Sequence, residues 1–165
     1  MSTLAASRLK PIAIAAIAAT LVAGLGAFMT DLGPWYQALH KPNWQPPDWL
    51  FGPAWTLIFG LCAIAGYLAW RNAPHRGGRA VVLALFALNA VLNVVWSGLF
   101  FRLRRPDWAL AEAAMLWLSI LLLIVALARY SKTASVLLVP YLAWVSFAMV
   151  LNWTVVQLNA PFVGP

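Results

Sequence analysis

Long stretches without a charged residue constrain this chain more than any other feature. Four ranges contain no Lys, Arg, Asp or Glu: 11–30, 50–70, 80–101 and 133–158. A fifth range, 108–128, is interrupted only by Glu112. Each range is at or above the roughly 20 residues with which a helix crosses the hydrocarbon core of a bilayer. The sequence therefore predicts an all-α membrane protein, a bundle of five transmembrane helices.

Composition agrees with this fold class. Of the 165 residues, 64% are hydrophobic and only 9% are charged, which is too little polar surface to cover a soluble domain. A barrel of strands would show alternating segments of about ten residues, so we treat 1–165 as one helical membrane domain. Arg8 and Lys10 before the first apolar range also suit a secretory signal peptide. That range exceeds the usual apolar region of roughly 7 to 15 residues, which favours a retained helix, with cleavage as the alternative.

The distribution of basic residues predicts how the helices are oriented. With five helices, the N-terminus and the second and fourth connections share one side, and that side carries Arg8, Lys10, Arg71, Arg76, Arg79, Arg129 and Lys132. The other side carries Lys41, Arg102, Arg104 and Arg105 together with the acidic residues Asp31, Asp48, Asp107 and Glu112. By the positive-inside rule the N-terminus is cytoplasmic, and the first loop and the C-terminus lie outside. The net charge of +7 is then a topology signal and a contact for anionic lipid headgroups, and it implies no nucleic-acid partner.

Metal and catalytic residues are sparse. Cys62 is the single cysteine, so the chain contains neither a disulfide framework nor a thiolate metal site. His40 and His75 fall in loops on opposite sides of the membrane and cannot meet. We therefore expect no catalytic residues, no metal site and no obligatory cofactor.

The loop 31–49, which we call the lid, is rich in tryptophan and proline. Proline fixes φ and pushes the preceding residue toward extended conformations, so Pro46 and Pro47 stiffen the loop. Its tryptophans are Trp35, Trp44 and Trp49. One interpretation is an interfacial aromatic belt, which is common at helix ends. A belt does not need prolines, and this favours a structured cover whose rings are held above a site.

Three of the predicted helices each place aromatic and polar side chains on one face. At about 100° per residue, Asn89, Asn93 and Trp96 share a face of the third helix, within about 60°. Trp55, Phe59 and Cys62 do the same in the second helix. In the fifth, Tyr141, Trp144, Ala148 and Asn152 occupy an arc of about 80° by the same count. For the asparagines, an interhelical hydrogen bond is the simpler interpretation. Large aromatic rings beside them instead favour a cavity for a flat, apolar molecule with a few polar groups.

Glu112 lies about one turn into the fourth predicted helix, where an ionised side chain is costly. We expect it to face the bundle interior or to reach toward the headgroups. The cations at the same membrane face, Arg102, Arg104 and Arg105, are its expected partners.

Four motifs in this order resemble one known family. They are "WYQALHKPNWQPPDWLFGPAW" (35–55), "LNVVWSGLFF" (92–101), "WALAE" (108–112) and "VPYLAWVSFAMVLNW" (139–153). The sequence resembles the tryptophan-rich sensory protein and translocator protein family, also called the peripheral benzodiazepine receptor family. The resemblance runs from about Asp31 to Asn159.

The resemblance implies a five-helix membrane protein, usually a homodimer. Such a protein binds porphyrins, haem and synthetic isoquinoline or benzodiazepine ligands in a pocket capped by the first loop. Carried over by position, the ligand-binding residues are Tyr36, Trp55, Phe59, Asn93, Trp96, Trp144 and Ala148. Asn89, Glu112, Tyr141 and Asn152 are expected to give polar support, and Glu112 stands where the family has an acidic residue, often Asp.

Two departures from the family pattern bear on function. Gly98 stands where the family often has proline, so the third helix is expected to bend differently. The sterol motif of animal members needs a tyrosine followed by a cation, whereas this chain has Trp153 with no cation after it, which makes sterol transport doubtful.

Three functional hypotheses follow. The leading one is a membrane receptor or carrier for tetrapyrroles, with porphyrin or haem as ligand. The second is an enzyme that degrades bound porphyrin with light or oxygen. The porphyrin would then supply the photochemistry, because the sequence contains no acid–base or nucleophile pair for ordinary catalysis. The third is a signalling scaffold that packs against another subunit through the small residues Ala80, Ala84 and Ala87.

Overall fold

The computed structural model describes the backbone of residues 2–162 and the side chains of residues 13–162. In that part of the chain all regular structure is helical. The helices are α1 (Ser2–Met29), α2 (Pro34–Ala38), α3 (Asp48–Asn72), α4 (Arg76–Ser97), α5 (Pro106–Ala128), α6 (Lys132–Leu137) and α7 (Val139–Asn159), with a π-helical turn at Gly98–Arg102. The predicted all-α architecture is confirmed.

Four stretches are long and apolar enough to cross a membrane. They are Asp48–Asn72, Arg76–Arg102, Pro106–Ala128 and Lys132–Asn159. In α1 the apolar part with described side chains, Ala13–Met29, is shorter. The membrane-protein class is thus supported by four spans, and the fifth span, at α1, stays a prediction.

The helices pack around a common centre, with the short α6 joining α5 to α3, and α3 also packs against α4. α1 packs against α3 and α4, α4 against α5, α5 against α7 and α6, and α6 against α3. Because consecutive long helices run in opposite directions, the connections gather at two ends of the bundle. The lid end carries the lid, the π turn and the end of α7. The basic end carries the α3–α4 and α5–α6 connections, where Gly78 lies beside Tyr130.

The core is stacked in three layers along the bundle. The lid-end layer consists of Tyr36, Phe100, Ala109 and Val155. The middle layer consists of Ile58, Leu116, Ile120, Tyr141 and Val145. The layer at the basic end consists of Ala65, Ala69, Val82, Leu123, Leu127, Ala134 and Leu138. Each layer draws on several helices, so the bundle is held together along its whole length.

The outer surface of the bundle is also apolar. On α1 the exposed side chains Ile14, Ile17, Leu21, Leu25 and Phe28 recur every three or four residues and so form one face of the helix. A continuous exposed apolar face of this length is rare on a soluble monomer. It is the surface expected against lipid.

Two local breaks depart from the sequence prediction. The fifth predicted helix, 133–158, is divided into α6 and α7 at Leu138. Pro140, in the first turn of α7, has no amide hydrogen and so cannot donate the backbone hydrogen bond that would make the two helices continuous. The third predicted helix starts earlier, at Arg76, and Gly98 opens its π turn, in which Leu103 N donates to Gly98 O at 2.9 Å. A π turn holds one more residue than an α turn, so it redirects the side chains that follow.

Gly78 gives a test of the packing at the basic end. A Cβ there would lie 3.3 Å from the Tyr130 hydroxyl and 3.4 Å from Ala73 Cβ. Gly78→Leu should therefore destabilise the bundle by about 1–3 kcal/mol through overpacking, seen as a lower midpoint of thermal unfolding in detergent. Gly60→Leu is the control, since a Cβ at Gly60 meets nothing within 4 Å. Equal midpoints for the two variants would contradict the packing described here.

Candidate functional site

Tyr36 anchors the lid to the start of α3. Its side chain is buried, and its hydroxyl donates to Asp48 Oδ1 at 2.9 Å and accepts from Gln45 Nε2 at 3.3 Å. The Lys41 ammonium lies 3.5 Å from the centre of its ring. Burial, and then the hydrogen bond to Asp48, raise the pKa of Tyr36 above the usual range of a phenol. The lid is thus organised around a neutral tyrosine.

A second attachment joins the lid to the far end of the chain. His40 N donates to Asn159 Oδ1 at 2.8 Å, and Asn159 Nδ2 donates to His40 O at 2.8 Å. These residues are 119 positions apart in the sequence. We call this reciprocal pair the latch, because it fixes the middle of the lid to the end of α7.

Aromatic rings lie directly beneath the lid. Trp35 packs edge-on against Phe100, with ring centres 6.1 Å apart, and Tyr36 lies 5.7 Å from Phe101. Trp96 stacks on Phe100 at 5.3 Å and also contacts Phe101. The π turn allows both phenylalanines to reach Trp96, since it brings residue i+5 back toward the same side of the helix.

The remaining lid residues divide between the inside and the outside of the bundle. Trp44 packs against Phe147 at 5.9 Å, while Trp49 is 72% exposed in the first turn of α3. Pro46 is half-buried, and Pro47 is the N-cap of α3. Trp49 therefore points outward, as the aromatic-belt interpretation describes, and Trp44 is also partly exposed beside Phe147, whereas Trp35 and Tyr36 pack inward.

A second group of aromatic rings occupies the middle of the bundle. Trp55 stacks on Phe59 at 5.4 Å, and it contacts Tyr141 at 6.0 Å and Trp144 at 6.5 Å. Ala148, one helical turn after Trp144, is half-buried. The structure thus brings together the aromatic faces predicted for the second and fifth helices.

Four polar side chains form a hydrogen-bonded network, the polar hub, in the middle of the bundle. Tyr141 Oη donates to Asn89 Oδ1 at 3.3 Å and accepts from Asn93 Nδ2 at 3.2 Å. Asn89 Nδ2 donates to Ser119 Oγ at 2.9 Å. All four residues are buried, so the hub joins α4, α5 and α7 where water is scarce. Both asparagines therefore make interhelical hydrogen bonds, which was the simpler of the two interpretations of these residues.

Two polar side chains are buried beside the lid end of α5: Glu112, on α5 itself, and Asn152, on α7. The Asn152 amide is oriented so that its nitrogen donates to Pro106 O at 3.2 Å and its oxygen accepts from Leu110 N at 2.9 Å. Glu112 is 3% exposed, and neither carboxyl oxygen has a hydrogen-bond partner among the described residues. Asn152 thus links α7 to the first turn of α5 by two hydrogen bonds, whereas the carboxyl group of Glu112 makes none with the described residues.

The predicted pairing of Glu112 with nearby arginines is wrong. Arg105 pairs with Asp107, its Nε lying 2.8 Å from Oδ1, and Arg102 donates to the carbonyl of Phe28. Arg104 lies over the ring of Trp35. The three arginines therefore contact partners near the end of the bundle. Glu112 does not pair with them because it lies more than one helical turn deeper along α5 than Asp107.

A cavity of about 950 Å³ lies between α1, α3 and α4. α1 contributes Ile14, Ala15, Ala18, Ala19 and Val22; α3 contributes Phe59, Cys62, Ala63, Gly66, Tyr67 and Trp70; α4 contributes Val82, Leu83, Phe86, Ala87, Asn89 and Ala90. The walls are almost entirely apolar. Small residues on all three helices make room for the cavity, and four aromatic rings give it flat surfaces.

The cavity is lined by one predicted ligand-binding residue, Phe59, and by one residue predicted to give polar support, Asn89. The other predicted ligand-binding residues, Tyr36, Trp55, Asn93, Trp96, Trp144 and Ala148, lie closer to the lid. Phe59 is stacked on Trp55, and Asn89 belongs to the polar hub. The cavity therefore lies next to the predicted region and continues it toward the basic end.

Sequence analysis missed the rings Tyr67, Trp70 and Phe86 and the small α1 residues. A signal for the α3 residues was present, because 59, 62, 63, 66, 67 and 70 continue the face of Trp55 and Phe59 at helical spacing. The histidines do not contribute to the cavity: His75 Nδ1 accepts from Gly78 N at 3.0 Å as the cap of α4. Among residues with described side chains, no group of three His, Cys, Asp or Glu is placed to hold a metal.

Comparison with known proteins fits this arrangement of helices. The model of the TspO/MBR family matches residues 13–158, which is most of the chain. The chain belongs to the TspO/MBR family. It is 45% identical over 125 residues to the tryptophan-rich protein TspO of Chlorobaculum tepidum, covering 76% of this chain and 79% of that protein. It is 43% identical over 150 residues to the tryptophan-rich protein TspO of Archaeoglobus fulgidus, covering 89% of this chain and 96% of that protein. It is 35% identical over 131 residues to the human translocator protein, covering 79% of this chain and 78% of that protein.

The resemblance inferred from the lid and helix motifs is thus confirmed. The TspO/MBR match begins one residue before Ile14 and ends one before Asn159. It therefore includes every residue that lines the cavity, the whole lid and the polar hub. The cavity is built entirely from the family's shared region.

Removing the hydroxyl of Tyr141 should break the polar hub. In Tyr141→Phe, the Asn89 and Asn93 amides each lose a buried partner, so we expect a loss of about 1–3 kcal/mol of stability and a lower unfolding midpoint. Tyr67→Phe is the matched control, because the Tyr67 hydroxyl makes no hydrogen bond with the described residues. A similar small change in both variants would show that the hub does not hold the helices together.

Removing the latch should loosen the lid. In Asn159→Leu the His40 amide loses its acceptor, and we expect its hydrogen exchange to rise about tenfold, measured by mass spectrometry of lid peptides. The control is Gln157→Leu, an exposed position on the same helix. Unchanged exchange at His40 in the Asn159 variant would mean that the lid is held without the latch.

Proposed function

We propose that this protein is a membrane receptor or carrier that binds a flat, largely apolar ligand within the bilayer. The ligand class is tetrapyrroles, porphyrin or haem, together with synthetic isoquinoline and benzodiazepine compounds. The observation that carries the proposal is the cavity of about 950 Å³ beside the aromatic groups. Small-molecule sites typically enclose about 300–1,000 Å³ and are mostly apolar with a few placed polar groups.

The chemistry of the walls supports a planar ligand. Phe59, Tyr67, Trp70 and Phe86 offer ring faces and edges, and aromatic systems prefer to pack in offset or edge-on arrangements. Asn89 is the polar group at the end of the cavity nearer the lid. A bound ring system would contact Phe59, and Trp55 behind it would report binding through its fluorescence.

The membrane arrangement is part of the proposal. We infer five spans with α1 as the first, a cytoplasmic N-terminus, and the lid and C-terminus outside, because the excess of basic residues lies at the basic end. A homodimer in contact with membrane lipid is the expected assembly. The names of two relatives, translocator protein and tryptophan-rich sensory protein, refer to transport and to sensing. For this chain we propose a role in tetrapyrrole homeostasis or the response to stress.

Light- or oxygen-dependent degradation of bound porphyrin is the second candidate. The observation that favours it is the stack of Trp55 on Phe59, which places an indole one ring behind the cavity wall. There an indole can react with an excited pigment or with the oxygen species it generates. Illumination of the complex distinguishes the two functions: a new bound product that disappears in Trp55→Phe supports degradation, and unchanged pigment supports a receptor or carrier.

Filling the cavity should abolish binding. In Ala63→Phe the new ring projects into the void, so the fold has room for it while the ligand does not. In a titration of the purified protein with protoporphyrin, followed by quenching of tryptophan fluorescence, we expect affinity to fall about tenfold or more. The matched control is Ala84→Phe, which faces outward on α4. Full affinity in the Ala63 variant would place the ligand elsewhere and overturn this assignment of the site.

A further inference from the structure

The basic end of the cavity carries a cation that lies on an aromatic ring. The Arg79 guanidinium carbon lies 4.5 Å from the centre of the Trp70 ring, and Trp70 lines the cavity. A guanidinium stacked on an aromatic face is held in one plane, with its N–H groups directed outward from the edge. The orientation of Arg79 is therefore fixed by the same ring that forms the cavity wall.

Arg79 lies on the face of α4 that lines the cavity. Leu83, Phe86 and Ala90 follow it at intervals of four, seven and eleven residues, and all three are cavity residues. Residues at these spacings share one side of a helix. Arg79 is thus about one turn, roughly 5–6 Å along the axis, beyond the cavity lining.

No carboxylate side chain of the protein is available to this arginine. The four acidic residues of the chain are Asp31, Asp48, Asp107 and Glu112, and each lies in the lid, at a helix terminus of the lid end or in the adjoining turns of α5. The Arg79 Nε is buried and has no hydrogen-bond partner among the described residues. A buried donor on a cation without a partner is costly, which favours a bound ligand as the source of that partner.

We propose that Arg79 binds the carboxylate of an amphiphilic ligand whose apolar body occupies the cavity between α1, α3 and α4. This inference rests on the proposed function and adds the chemical class and the orientation of the ligand. Its acidic edge lies at the basic end, and its ring system extends along the cavity toward Phe59, with the far edge near Asn89. The planar fork of a guanidinium matches a carboxylate with two parallel hydrogen bonds, so a flat carboxylic acid fits both the arginine and the aromatic walls.

The test compares protoporphyrin with its dimethyl ester, which keeps the ring and removes both carboxylates. Binding is measured by fluorescence quenching in nanodiscs of phosphatidylcholine alone. Wild type should bind the acid about tenfold more tightly than the ester, and Arg79→Gln should lose that preference while binding the ester normally. Arg71→Gln, an exposed arginine at the same end, is the control and should keep the preference.

Each other outcome has a defined meaning. If Arg79→Gln loses affinity equally for the acid and the ester, the arginine only supports Trp70, and the inference is overturned. If it loses no affinity for either compound, the arginine is an interfacial anchor, and the inference is also overturned. If the acid preference of wild type disappears in nanodiscs containing phosphatidylglycerol, Arg79 binds a lipid headgroup, which also overturns it. Failure of wild type to bind either compound would instead refute the proposed function. Unfolding midpoints of all variants separate these results from loss of the fold.

Discussion

The hydrogen bonds around Tyr141 are the interaction on which the rest of the bundle depends. Hydrocarbon offers no water to an amide or a hydroxyl, so polar side chains between spans must satisfy one another. One phenol serves as donor to Asn89 and acceptor from Asn93, which joins α7 to α4, and Ser119 adds α5. With three helices fixed at this level, α1 and α3 enclose the other side of the bundle. The cavity lies there, where packing is by small residues and not by polar contacts.

The two aromatic groups and the cavity have different physical roles. At the lid end and in the middle of the bundle the rings contact each other and fill space, as the stacks of Trp96 on Phe100 and Trp55 on Phe59 show. Toward the basic end the rings stand apart and alanines and Gly66 replace bulky neighbours, which leaves volume open. Tryptophan richness alone therefore does not locate a ligand. What matters is where large rings face small residues across the bundle.

Sequence reasoning predicted the four supported spans because hydrophobicity over about 20 residues reflects a strong physical requirement, the thickness of the bilayer core. The resemblance to the family was recovered from the lid and from the α7 motif. Contacts between side chains were harder to predict. Glu112 was expected to pair with arginines at its own membrane face, but spacing along a helix does not tell which nearer acceptor an arginine chooses. A cavity was predicted, but its position between α1, α3 and α4 was missed, because the position of a void depends on how three helices lie relative to one another. The pattern of each helix alone shows only which side faces inward.

The latch between His40 and Asn159 has a consequence for how the protein is made. The lid emerges from the ribosome before most of the bundle, yet its partner on α7 is 119 residues downstream. Until α7 is in place, the lid is held by the hydrogen bond of Tyr36 to Asp48 and by the packing of Trp35 and Tyr36 on Phe100 and Phe101. The latch therefore forms only after α7 has been made, so the attachment of the middle of the lid is one of the last steps in assembling the bundle.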